Sequence, residues 1–92
     1  MGSKKQVLYF TASWCGPCQK IKPVVKELKE TYKSTIDIIT IDVDEERDVT
    51  SQFSIQSMPT FVFVCGDKEW RRFSGANAEK LRDWVDELDK KK

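Results

Sequence analysis

The chain has 92 residues, with Lys+Arg 16 against Asp+Glu 15 and a formal net charge of +1, so it presents no field suited to nucleic acid or to an acidic membrane. With no His, 4 Gly and 3 Cys, it excludes a Ser-His-Asp triad, a Cys-His pair, an imidazole metal ligand and a Gly-rich phosphate loop, which leaves sulfur as the main available chemistry. A chain of this length is expected to form one domain over residues 1–92 that buries about 60 to 65% of its unfolded surface. It has no apolar run near the roughly 20 residues of a membrane span.

Met1 to Gln6 is polar and lysine-bearing, with no apolar segment before a cleavage site; it reads as a solvated lead-in to a soluble, cytoplasmic chain. Val7-Leu8-Tyr9-Phe10 is a continuous apolar run, the pattern of a central strand covered on both faces. Ile21, Val24, Val25, Leu28 and Tyr32 then recur at helical spacing, predicting an amphipathic helix from about Gly16 to Tyr32, kinked at Pro23. Ile36 to Val43 predicts a second strand, with Ile39, Ile41 and Val43 on one face and Ile36 and Ile38 on the other. Asp44 is expected to cap a short helix over Glu45 to Phe53 that turns Val49 and Phe53 inward. Phe61 to Cys65 reads as a third strand, and Gly66-Asp67 as a hairpin turn into an edge strand, Glu69 to Phe73. Asn77 caps a last helix carrying Leu81, Trp84, Val85 and Leu88. The first two strands, joined through a helix, should be parallel, and the last two antiparallel. The fold class is therefore α/β, a mixed four-stranded sheet flanked by three helices.

Cys15 and Cys18 fall where the first strand ends and the first helix begins. Residues three apart in a helical turn have Cβ atoms about 5 to 6 Å apart, and a small adjustment reaches the roughly 3.8 Å of a disulfide. Closing so short a loop stabilises by only about 2 kcal/mol, so the pair is a poor staple and a good switch. Cys15 meets the unpaired N–H groups and positive dipole of the helix start, which favour thiolate, whereas Cys18 lies one turn inside. Cys15 is thus the candidate nucleophile and Cys18 the resolving thiol. Pro17 suits the first turn, where its missing N–H costs nothing, and Gly16 leaves Cys15 approachable. Structural zinc would need four ligands, and Cys65 is the only other sulfur ligand, so no metal site is expected. An inert disulfide would contribute little and would suit a cytosolic chain poorly. Cys65 itself reads as a small hydrophobe at a strand end, Trp70 and Trp84 as packing residues, and the terminal lysine runs as solvated ends.

Trp14-Cys15-Gly16-Pro17-Cys18, Met58-Pro59-Thr60 and Phe73-Ser74-Gly75-Ala76-Asn77, in that order after a strand, resemble the thioredoxin family, particularly its eukaryotic cytosolic members. The likeness spans roughly Val7 to Leu88. It implies a thioredoxin-like fold and a general protein disulfide reductase with no bound cofactor beyond the Cys15-Cys18 couple. It also implies disulfide-containing client proteins and recharging by an NADPH-dependent thioredoxin reductase. By the same resemblance Pro59 matches a cis proline facing the two cysteines. A cis bond there would turn the Met58 N–H and C=O toward an extended substrate segment, and Trp14, Met58, Pro59, Gly75 and Ala76 would form an apolar rim around Cys15. The plainer alternatives are an ordinary loop-to-strand junction at Pro59 and a packing role for Trp14.

Two features depart from the family pattern. A buried Asp usually precedes the residue matching Phe10 and assists deprotonation of the second cysteine. Tyr9 stands there instead, and a phenol with pKa near 10 is no base at neutral pH, so it can at most orient a water or donate a hydrogen bond. The Lys that commonly partners that Asp is replaced by Thr40. Further, no segment here matches the strand and helix with which family members usually begin, so Ile36 to Val43 should be a sheet edge. Such an edge would be open to Met1–Gln6 folding back or to weak self-association. A rival of another class is a non-catalytic binding module that holds a partner on Trp14, Met58 and Ala76; an oxidase or isomerase is a third reading, disfavoured by Pro17.

Overall fold

The computed structural model describes residues 4–91. The chain runs β1 (Lys5–Thr11), α1 (Gly16–Thr31), β2 (Asp37–Asp42), α2 (Arg47–Gln52), β3 (Thr60–Cys65), β4 (Lys68–Ser74) and α3 (Ala78–Lys90). The sheet order is β2-β1-β3-β4, with β1 parallel to β2 and antiparallel to β3, and β3 antiparallel to β4. This is the expected mixed four-stranded sheet with three helices. The inner strands are β1 and β3, the two most continuously apolar segments, because only they lose both edges and both faces to the interior.

Side-chain alternation assigns the two faces. Val7 and Tyr9 of β1 and Phe61 and Phe63 of β3 join Ile21, Val25 and Leu28 of α1 and Leu81, Val85 and Leu88 of α3 in the larger core. Phe10 and Val62 point the other way, where Ile41, Val49, Phe53 and Ile55 meet them. Ile36 and Ile38 pack with the first set and Ile41 and Val43 with the second, as the alternation of β2 requires; Ile39, nearer the open edge, stays 38% exposed.

The larger core is aromatic. Phe63 has Trp70, Phe73 and Trp84 around it at ring-centroid distances of 6.4, 6.1 and 5.5 Å. Outside it, the Arg71 guanidinium lies between Trp70 and Trp84, 3.9 and 4.0 Å from the two rings, and pairs with Glu87 at 2.7 Å, tying β4 to α3. Glu27 of α1 pairs with Arg82 of α3, and that hydrogen-bonded guanidinium holds the Glu27 carboxyl below its ordinary value. A lowered carboxyl contributes above its ordinary titration range and loses that contribution as pH falls, and this exposed pair is a minor clamp.

Two local expectations need correction. Lys5 and Gln6 are not part of a solvated lead-in: they extend β1, pairing with Asp37 on one side and with Cys65 and Val64 on the other. Lys5 Nζ also donates to the Asp89 and Lys91 carbonyls at 2.7 and 2.6 Å. The unpaired carbonyls at the end of α3 attract the ammonium group, so this lysine holds the strand start against the helix end. With Lys5 and Gln6 committed to β1, that part of the N-terminal segment does not fold back along the outer edge of β2; Met1–Ser3 lie outside the described residues.

Second, Asp44 does not cap α2. The helix starts two residues later than expected, at Arg47 after Glu46, while Asp42 Oδ1 accepts from the N–H groups of Asp44 and Glu45. α1 runs from Gly16 to Thr31 with Pro23 inside it, close to the expected bounds. The apolar stripe of Ile21, Val25 and Leu28 remains buried against the sheet on both sides of the proline, so tertiary packing offsets the lost hydrogen bond. The hairpin is as expected, with Gly66 at φ 70 between the paired Cys65 and Lys68. One register shift falls between Phe63 and Val64, leaving Trp70 without a cross-strand partner.

Candidate redox site at the start of helix α1

The site lies at the end of the sheet where β1 and β2 both terminate, the end at which parallel strands deliver their loops together. After Thr11 the chain turns through Ala12 and Ser13, and the Cys15 N–H returns to the Ala12 carbonyl at 3.1 Å. Cys15 is the N-cap of α1, with extended backbone (φ -88, ψ 110), and its Sγ accepts from the Cys18 N–H at 3.2 Å. The sulfur thereby fills the place usually taken by a Ser or Asp oxygen. No acidic residue occupies the first turn, so the helix itself places no carboxylate against its positive end at Cys15.

Cys15 and Cys18 are joined in a disulfide, with Cα atoms 5.3 Å apart. Cys18 is 1% exposed and Cys15 5%. Cys18 is covered as expected, but Cys15 is also largely covered in the closed bridge. Pro17 follows Gly16 in the first turn, and a Cβ built on Gly16 would meet no atom within 4 Å, which leaves the approach over this turn clear.

Tyr9 supports the pair from below. Its ring stacks on Phe61 at 5.0 Å, and its hydroxyl donates to the Cys18 carbonyl at 3.2 Å. It is therefore a hydrogen-bond donor to the first turn of α1. Thr40 pairs with Tyr9 in the β1–β2 ladder, and its Oγ1 accepts from Lys29 Nζ at 2.8 Å. A lysine does reach this region, but it comes from α1 and not from the strand.

The remaining expected site residues are unevenly gathered. Ala12, Cys15 and Cys18 form a small apolar cluster against which Met58 and Val43 pack. The Met58–Pro59 peptide is cis. Pro59 is fully buried, so it lies under any rim and does not form it. Gly75, at φ 106, donates its N–H to the Pro59 carbonyl at 2.8 Å and so joins the loop after β4 to the cis peptide; a Cβ at that φ would be strained. Ala76 is exposed beside it.

Trp14 is 65% exposed, which removes the packing alternative. Its indole Nε1 donates to Asp44 Oδ2 at 2.8 Å. In sequence Asp44 fits a helix cap and carries no mark of the site. The signal that could have placed it is topological: Thr11 pairs with Asp42 in the parallel ladder, so the loop carrying Trp14 and the loop carrying Asp44 leave the sheet side by side. Cys65 is half-buried in the β1–β3 ladder opposite Lys5 and carries a free thiol.

A strand, a tight turn and a helix whose cap is one half of a closed two-residue-spaced disulfide define a thiol–disulfide oxidoreductase, with the bridge itself as the redox group. The thioredoxin family model matches residues 1–87. The chain is 44% identical to human thioredoxin over 87 residues, covering 95% of this chain and 82% of the human protein. Among solved structures, the germline-specific thioredoxin protein Deadhead of Drosophila superposes with a TM-score of 0.89 at 39% identity, over 92% of this chain and 81% of that one. A chain from a structure on thiol resolution in yeast mitochondrial 1-Cys peroxiredoxin through the glutathione/thioredoxin systems superposes with a TM-score of 0.86 at 30% identity, over 91% of this chain and 78% of that one. The chain belongs to the thioredoxin family, and its activity is that of a protein disulfide reductase. The reading as a non-catalytic module has no support in these findings.

Proposed function

We propose that Cys15 is the attacking thiol and Cys18 the resolving thiol in the reduction of disulfides in client proteins. The observation that carries this division is the place of Cys15 Sγ at the N-cap, hydrogen-bonded by the Cys18 N–H, at a helix end with no acidic residue. Cys15 thiolate attacks one client sulfur. The client S–S bond breaks, a Cys15–client mixed disulfide forms and the other client sulfur leaves as thiolate. Cys18, after losing its proton, attacks Cys15 Sγ; the Cys15–Cys18 bond forms and the second client sulfur leaves with the electron pair. Two electrons have then passed to the client, and a reductant must reopen the bridge. An NADPH-dependent thioredoxin reductase in the cytoplasm is the assignment the family supports, and it makes this chain a carrier in electron transport.

Trp14, Met58 and the Gly75-Ala76 loop are proposed to receive the client, with buried Pro59 shaping the platform beneath them and Gly16 and Pro17 keeping the turn open. Reduction of insulin with dithiol supplied tests the function: the chain should accelerate it above the dithiol alone, and no acceleration would overturn the reading.

Tyr9 is proposed to position the first turn of α1 and not to act as a base. Tyr9→Asp would install a carboxylate beside Cys18, and the rate of the Cys18 step should then rise and gain a new dependence on pH. An unchanged rate and pH profile would show that this position does not govern the proton transfer.

β2 is an outer strand with Ile39 exposed, and we propose that it supports weak pairing between two copies. Sedimentation should show an average mass that rises with concentration, and Ile39→Lys should remove the rise. A concentration-independent monomer would count against it.

A further inference from the structure

Behind Cys18 lies a pocket of about 430 Å³ that the reductase chemistry above does not use. Its floor is apolar, made by the Tyr9 ring and Val25, and Cys18 lines its wall. Lys22, Lys26 and Lys29 edge it from successive turns of α1, with Thr40 and Asp42 of β2 opposite. The volume suits a small organic ligand, for which an apolar floor and a few polar groups at the edge are the usual design.

Charge selects the class of ligand. The ion pairs among the described residues occupy Arg71, Arg72, Arg82 and Lys90, and none involves Lys22, Lys26 or Lys29. Lys29 bonds only the neutral hydroxyl of Thr40. The one carboxylate in the lining, Asp42, already accepts two backbone N–H groups through Oδ1. Three ammonium groups against one engaged carboxylate leave the pocket with excess positive charge over an apolar floor.

We propose that this pocket binds a small organic anion, its apolar body on Tyr9 and Val25 and its charged head among Lys22, Lys26 and Lys29, and that occupancy opposes ionisation of Cys18. The titratable and charged groups that line the pocket with Cys18 are Tyr9 from β1, whose hydroxyl bonds the Cys18 carbonyl, Lys22, Lys26 and Lys29 from α1 itself, and Asp42 from β2. In the empty pocket the lysines favour the thiolate. A bound anion neutralises them, so the thiolate is less favoured and the mixed disulfide resolves more slowly. The binding stands by itself; its effect on Cys18 rests on the function proposed above.

The test uses benzoate and phenyl phosphate as anionic probes and benzamide as their neutral counterpart, with the full chain. Calorimetry should show saturable binding of the anions with Kd on the order of 1 mM, and little binding of benzamide. The triple substitution Lys22→Gln, Lys26→Gln, Lys29→Gln should weaken anion binding about tenfold, as should about 1 M salt. Comparing the two anions distinguishes a carboxylate from a phosphate head.

For the effect on Cys18, the reduced chain is mixed with a neutral dipyridyl disulfide, which releases one thiopyridone when Cys15 attacks and a second when Cys18 resolves. Saturating benzoate should slow the second release about threefold near neutral pH and move its pH midpoint upward. Binding that is absent, equal for benzamide or unchanged by the lysine substitutions overturns the site, and a second release unaffected by bound benzoate overturns its effect. Absence of the second release without any ligand would instead overturn the assignment of Cys18, while the calorimetry would still decide the pocket.

Discussion

Cys18→Ser is expected to convert the chain from a catalyst into a trap. With dithiol limiting and insulin or a cell extract as the source of disulfides, the variant should accumulate covalent adducts on Cys15, seen on non-reducing gels and by mass spectrometry and lost on reduction. The reason is positional. Cys18 is the group placed to attack Cys15, one helical turn away at a Cα separation of 5.3 Å, and a serine hydroxyl there is not ionised near neutral pH. Cys15→Ser should form no adduct and should reduce turnover to the rate of the dithiol alone. Cys65→Ser should leave both behaviours as in the native chain, because Cys65 sits in the β1–β3 ladder away from the helix start. Adducts that persist in Cys15→Ser would place the attacking sulfur elsewhere and overturn the assignment.

Phe63→Ala is expected to have the largest effect on stability of any single core change. Phe63 is 0% exposed and is the ring on which Trp70, Phe73 and Trp84 converge. Removing it takes the packing surface away from β4 and α3 at once. Such truncations cost about 3 to 5 kcal/mol, against a total stability of about 5 to 15 kcal/mol for a domain. At about 4 to 8 °C per kcal/mol for a chain of this size, Tm should fall by more than about 12 °C. Calorimetric or circular-dichroism melting measures it, and a fall of less than about 5 °C would mean that the aromatic cluster is not the centre of the core. Arg71→Ala, which opens the stack between Trp70 and Trp84 but leaves both rings and the core beneath them in place, should cost much less.

The two-residue spacing of Cys15 and Cys18, the strand before them and the 3.6-residue stripe after them were readable because each is a local pattern. A disulfide across one helical turn and an apolar helix face both follow from neighbours in sequence. The directions of the β1–β2 and β3–β4 pairings also followed, since a helical crossover and a two-residue turn each permit one; the antiparallel pairing of β1 with β3, which fixes the strand order, is seen only in the fold. Asp44 was misplaced for the opposite reason. Its local pattern fits a helix cap, and only the parallel pairing of β1 with β2 brings it 2.8 Å from the Trp14 indole, 30 residues away. Lys5 is a second case: in sequence it is one of a run of charges, in the fold it is the ammonium group that meets the open carbonyls of α3.

What the amino-acid sequence determined by itself is the chemistry: two thiols one helical turn apart at a helix start, with no histidine, metal set or phosphate loop to compete. What the tertiary structure decided is the surroundings of those thiols. It buried Pro59, gave the Tyr9 hydroxyl the Cys18 carbonyl as its acceptor, and opened a lysine-edged pocket behind Cys18. Reactive groups are set by residue type and short spacing. Their burial, their hydrogen-bond partners and the field around them arise from segments far apart in the chain, and only the packed sheet and helices bring those together.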